Sequence, residues 1–167
     1  MKTIRTLSVI AIAATALTAR ASIIPITSFS VTEGILIQGD ERSLTLPTGG
    51  FMEIDSGRSD QIELYIRART DIQPYRIRKI NIRVVARKWR RLPVTIEMYR
   101  TRDRTYTFPQ TMSLSTGLTF PPNYMTYTFN DEPSKLVSDR GYMIVRITAP
   151  GINRLFLDMV QFEVVTS

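Results

Sequence analysis

The 167-residue chain has no cysteine and no histidine, and a single tryptophan. Without cysteine it has no disulfide, no thiol nucleophile and no lipid attachment through a cysteine. Without histidine it also lacks the usual general base and the usual zinc ligand, so Ser-His-Asp and Cys-His constellations and zinc hydrolysis are excluded. Carboxylate pairs are left, and Glu53 with Asp55, or Glu97 with Asp103, are available for cutting a glycosidic bond. Spacing selects neither pair, because any two strand residues two apart share a face. The chain therefore reads as a non-enzyme. Helical periodicity is missing too: beyond residue 21 no useful stretch repeats its apolar residues every three to four positions. No internal repeat marks a solenoid or propeller.

The N-terminus carries a targeting pattern. Lys2 and Arg5 make a basic start, Leu7 to Leu17 is an apolar run, and Ala19-Arg20-Ala21 fits a small-x-small cleavage site with Ser22 as the new first residue. The run is short for a membrane-spanning helix, which takes about 20 apolar residues. The expectation is a signal peptide over residues 1–21 and a mature domain over residues 22–167, secreted or at the cell surface, with the periplasm also compatible. An exported domain without disulfides leans towards a bacterial source. Cleavage lowers the formal charge from +7 to +4.

What is present is alternation. Ile62, Leu64, Ile66 and Ala68 alternate with Glu63, Tyr65, Arg67 and Arg69, and Ile80, Ile82, Val84 and Ala86 with Asn81, Arg83, Val85 and Arg87. Val94, Ile96 and Met98 do the same with Thr95, Glu97 and Tyr99. Period two predicts strands with one buried and one wet face. Further strands are expected near residues 29–37, 51–54, 112, 124–129, 142–148 and 155–165. Gly34 marks a bulge or bend, and one helical turn is expected at Pro133 to Leu136. The architecture expected is all-β: an antiparallel sandwich of about eight strands.

Charge is unevenly placed. From Arg67 to Arg104 thirteen basic residues stand against three acidic ones, whereas the rest of the mature chain has six basic and twelve acidic. Arginine outnumbers lysine in this block eleven to two, which favours bidentate contact with carboxylate, sulfate or phosphate. If the three strands lie side by side, Arg67, Arg69, Arg83, Arg87, Arg90 and Arg91 share a face with Trp89 and Tyr99. Such a face suits an anionic polysaccharide or cell-envelope polymer, with nucleic acid the less favoured partner outside the cell. The competing account is ordinary: cross-strand pairing with Glu63, Glu97 and Asp103, although three acids cannot pair thirteen bases. Trp89, in the basic run Arg87 to Arg91, is either an exposed anchor or a cap over the core. The alternative function is an extracellular structural subunit in which the basic face of one copy docks on the acidic remainder of the next.

Ser28-Phe29-Ser30-Val31-Thr32-Glu33-Gly34, the Gly39 to Leu44 turn and the closing run Arg154 to Val164 together resemble secreted jelly-roll sandwiches of the galactose-binding or carbohydrate-binding-module type. Exported bacterial β-sandwich proteins that begin with a similar Thr-x-Gly strand are also similar. The resemblance covers the mature domain in layout, through short motifs. It implies a jelly roll that binds sugars, and a structural calcium in which Asp158 on the last strand meets Glu33 on the first. Relatives of that type often carry two acids on the first strand, and here one stands there. Asp158 paired with an arginine is the other reading. No other cofactor is expected.

Overall fold

Strict alternation over residues 61–69, 77–88 and 142–150 decides where the core lies. In the computed structural model, which describes residues 19–45, 50–90, 93–116, 123–151 and 153–167, every apolar member of these runs named above is buried. The proposed signal segment up to residue 18, the turn at residues 47–49, Arg91 and residues 117–122 lie outside the described residues.

The strands are β1 (Arg20–Ile24), β2 (Ile26–Glu33), β3 (Ile35–Gln38), β4 (Met52–Asp55), β5 (Gln61–Arg69), β6 (Ile77–Lys88), β7 (Thr95–Arg100), β8 (Thr105–Tyr106), β9 (Gln110–Thr111), β10 (Ser115–Thr116), β11 (Asn123–Phe129), β12 (Tyr142–Pro150) and β13 (Arg154–Thr166). The turn at Pro133–Leu136 is a single 3-10 helix, as expected. A seven-stranded sheet runs β10-β6-β13-β4-β3, with β11 also on β6 and β1 also on β13. A six-stranded sheet runs β2-β5-β12-β7-β8, with β9 also on β7. All pairings are antiparallel except β10 with β6. The result is the expected all-β jelly-roll sandwich. More than eight strands are counted because the sheet edges are built from short separate pieces.

Ile80, Ile82, Val84, Leu157, Val160 and Phe162 from the seven-stranded sheet meet Ile62, Leu64, Ile66, Ile96, Met98 and Val145 from the other in one core. Gly34 carries the chain from one sheet to the other, between β2 and β3. Its φ is +98°, and a Cβ there would sit 2.7 Å from the Asp55 carbonyl oxygen, so only glycine fits this corner. Pro25 divides β1 from β2. β1 pairs with β13 from Arg20↔Thr166 to Ile24↔Phe162, so the expected cleavage after Ala21 would leave Ser22 to Ile24 in that ladder.

One expectation is corrected. β5, β6 and β7 do not lie side by side: β5 and β7 flank β12 in the six-stranded sheet, whereas β6 lies between β11 and β13 in the other. Alternation tells which side chains face the core, and the inner faces of both sheets face the same core. The arginines of these strands therefore divide between two outward faces on opposite sides of the sandwich.

Candidate functional site

The outer face of the seven-stranded sheet carries Arg83 and Arg87, and both are engaged. Arg83 Nη2 lies 2.5 Å from Glu163 Oε2. That carboxylate also accepts from Asn81 Nδ2 at 3.4 Å, and Asn81 Oδ1 accepts from the Thr128 hydroxyl at 3.0 Å. Arg87 stacks over Phe51 at 5.2 Å and Phe156 at 5.7 Å from the ring centres, and the two rings pack edge to face at 5.5 Å. Asp158 stands beside Arg87 at the bulge of β13; burial pushes its carboxyl pKa up, and the Arg87 charge pulls it back. Trp89 follows β6 with about half of its surface exposed, and its backbone N–H donates to the Arg154 carbonyl at 2.9 Å. Arg90 is exposed, and its N–H donates to Asn153 Oδ1 at 3.1 Å. Trp89 and Arg90 thus lie at an end of the seven-stranded sheet, away from Arg67, Arg69 and Tyr99.

Those three stand on the outer face of the six-stranded sheet, around a network that the basic block did not announce. Arg146 of β12 donates through Nε to Glu97 Oε2 at 2.9 Å, and its Nη2 lies 2.7 Å from the same oxygen. Its Nη1 lies 3.5 Å from Glu63 Oε1, which also accepts from the Tyr65 hydroxyl at 2.8 Å. The guanidinium sits 3.8 Å from the centre of the Tyr106 ring, and Tyr106 packs against Tyr99 at 5.2 Å, tilted by 56°. Burial, the bond to Glu63 and the nearness of Tyr106 together raise the Tyr65 hydroxyl pKa above its ordinary value. The register explains the grouping: β12 sets Arg146 between Tyr65 of β5 and Glu97 of β7.

Beside this ion-paired centre lie Arg67, opposite Ile144, and Arg69, opposite Tyr142. Both are exposed, and neither pairs with a carboxylate among the described residues. Arg69 lies 5.6 Å from the centre of the Tyr142 ring. Arg67, Asp139, Arg140, Tyr142, Ile144 and Ser28 line an open depression of about 730 Å³. A guanidinium at such a place, not paired with a carboxylate, presents two parallel N–H donors to a carboxylate or sulfate from outside.

Glu33 and Asp158 are not brought together by pairing. Glu33 stands opposite Glu63 in the six-stranded sheet, and Asp158 belongs to the seven-stranded one. Among the described residues no group of three or more acids gathers as a metal site would require. Two acids of the basic block, Glu97 and Asp103, are ion-paired. Glu97 goes to Arg146, and Asp103 faces Lys135 at 3.6 Å and Arg100 at 3.8 Å. Arg146 is the residue that the charge block leaves out, and its only signal in the sequence is an outward phase on its strand, whereas Tyr65 and Tyr106 border the block as rings that could share the arginine face.

No protein-family model matches the chain, and no curated protein matches it. Solved structures do. A carbohydrate-binding module of family 29 aligns over 88% of this chain and 90% of its own length, with a TM-score of 0.51 and 12% identity. A mutant family 29 module complexed with cellulohexaose aligns over 89% of this chain and 93% of its own, with a TM-score of 0.50 and 12% identity. The jelly-roll sandwich of carbohydrate-binding modules, expected from the opening and closing strands, is thus the fold that this chain shares.

Proposed function

We propose that this protein is a non-catalytic, exported carbohydrate-binding module that takes an anionic polysaccharide or envelope polymer on the outer face of its six-stranded sheet. The observation that carries this reading is the contrast on that face. Glu63 and Glu97 are held by Arg146 in the centre, while Arg67 and Arg69 pair with no carboxylate among the described residues; Arg67 borders a depression walled by Tyr142 and Ile144, and Arg69 lies against the Tyr142 ring. Tyrosine rings offer flat apolar area to sugar rings, and the arginines offer the counter-charge for uronate or sulfate groups. The shared fold supports sugar as the ligand class, since the solved neighbours are named as carbohydrate-binding modules. Arg83 and Arg87 take no part in this reading because their charges are spent internally.

The test is retention on immobilised heparin and polygalacturonate across a salt gradient, with glucomannan as the neutral polymer. The wild type should be held by the anionic polymers and released by salt, and the double variant Arg67→Glu/Arg69→Glu should pass through. Equal retention of both proteins would remove the anionic reading. Failure of the wild type on all three polymers would remove the glycan reading itself.

A further inference from the structure

The edge of the six-stranded sheet holds a feature that sheet construction does not explain. β8 and β9 are two halves of one edge strand against β7. Tyr106 pairs with Tyr99 and Gln110 with Ile96, so two residues of β7 face three on the edge, 107–109. This is a bulge of one residue. Thr107 anchors it from both sides: its N–H donates to the Met98 carbonyl at 2.9 Å, and its hydroxyl accepts from the Met98 N–H at 2.9 Å. The next side chain, Phe108, is 93% exposed. Pro109 follows.

A bulge and a proline are standard means of keeping an edge strand from pairing with another chain. They account for the backbone here but not for the phenylalanine, because a fully exposed ring works against that protection. The ring stands over a cleft of about 390 Å³ between the edges of the two sheets, with Tyr106 and Gln110 on one side and Asn130 and Asp131 at the end of β11 on the other. An aromatic platform facing an amide, a second amide and a carboxylate matches a sugar ring, whose apolar face stacks while its hydroxyls donate and accept. A lipid chain or an apolar peptide would leave these polar groups desolvated and unpaired.

We infer that Phe108 is the stacking platform of a second saccharide subsite, and that this subsite takes an uncharged sugar unit. It rests on the module reading above only for the class of ligand. The charge around the cleft argues for the neutral unit. Arg100, the cation that lines the cleft, is committed to Asp131 and Glu132, each at 3.2 Å, and Lys135 to Glu132 at 2.8 Å, so neither is free for a uronate. Continuity argues for the same ligand chain. The Tyr106 ring lines the cleft and also lies beneath Arg146 on the outer face, so a polysaccharide crossing the sheet meets Phe108 as it rounds the edge. The polymer recognised would then present anionic units to Arg67 and Arg69 and a neutral unit to Phe108.

The experiment follows the ring protons of Phe108 by NMR while the protein is titrated with neutral cellohexaose, mannohexaose and xylohexaose. At least one should shift the Phe108 signals, Phe108→Ala should weaken its binding about tenfold, and Phe108→Trp should retain it. The inference is overturned if no neutral hexasaccharide moves the ring, or if Phe108→Ala binds as well as the wild type. It is also overturned if the alanine variant instead abolishes concentration-dependent self-association, which would give the ring to a second copy. Heparin retention of the Arg67→Glu/Arg69→Glu variant is read separately, so either site can fail while the other stands.

Discussion

Charge reversal on the two outward faces should give opposite results, and the geometry sets the sizes. On the seven-stranded sheet, Arg83→Glu removes a charge-assisted bond to Glu163, whose side chain is only 11% exposed. Such a bond contributes about 1.5–3 kcal/mol. The substitution also sets a like charge beside a carboxylate whose other donor is Asn81 at 3.4 Å. Arg83 is itself about a third exposed, so solvent screens the pair, and the expected net loss is about 2–3 kcal/mol. For a domain of this size that lowers Tm by about 5–10 °C. On the six-stranded sheet, Arg67→Glu breaks no ion pair, and Arg69→Glu loses only an exposed cation–π contact with Tyr142, a loss of about 0.5–1 kcal/mol. Urea and thermal denaturation followed by circular dichroism measure stability, and heparin retention measures binding. The Arg83 variant should be less stable but still retained, and the Arg67/Arg69 variant should be stable and released. An Arg83 variant as stable as the wild type that also passes through heparin would refute the division of roles between the faces.

Three further outcomes are expected. Asp158 has a folded pKa raised above the ordinary 3.8, so its contribution favours folding at low pH and is lost as pH rises through the raised value. Asp158→Asn should therefore raise Tm at pH 7, with the gain fading below pH 3.8, and EDTA should leave the wild-type Tm unchanged; a calcium ligand would show a lower Tm in both experiments. Tyr65 also has a raised pKa, so an unfolded tyrosine ionises near 10.0 while the folded one keeps its proton. Its stabilisation is present below that pH and drains away above it, and Tyr65→Phe should flatten the alkaline limb of a Tm–pH profile. Gly141 has φ +80° and would place a Cβ 1.9 Å from the Thr70 carbonyl oxygen, whereas a Cβ on Gly50 meets nothing within 4 Å. Gly141→Ala should destabilise by more than about 2 kcal/mol in urea denaturation, and Gly50→Ala should be close to neutral.

The division of inward from outward residues was legible in the sequence because period two reports a single physical fact, which side of a strand is dry. Ile62 to Ala68, Ile80 to Ala86 and Met143 to Ile147 all lie on the core side, as their alternation predicts. Gly34 was legible for a similar reason, since a glycine interrupting a strand signals a backbone that other residues cannot adopt. Sheet membership was not legible. Both inner faces meet one core, so nothing in the pattern of β6 distinguishes packing beside β5 from packing across from it. The candidate site suffered most from this. Arg67 and Arg83 look alike in sequence, yet one is exposed with no carboxylate partner among the described residues and the other is held by Glu163, eighty residues away. Phe108 carried even less signal, because its exposure depends on a bulge set by register along β7.

The same pairing bears on whether this chain would assemble with itself through opposite charges. Head-to-tail assembly needs two complementary patches on one molecule. The sequence supplies them only while the acidic remainder is counted as free. In the fold, Glu53 and Asp55 hold Arg154, Glu163 holds Arg83, Glu63 and Glu97 hold Arg146, and Asp131 and Glu132 hold Arg100. Asp40 is occupied in capping the turn at Glu41–Leu44. Among the acids left over, Glu33 stands opposite Glu63 of β5, and Asp60 and Asp71 lie just beyond the two ends of that strand. Cations without an ion pair among the described residues stand at Arg67, Arg69 and Arg140 and at the start of β6. Under the proposed function these are the cations that an external anion would meet, because Arg83, Arg100, Arg146 and Arg154 are already held by carboxylates of the chain.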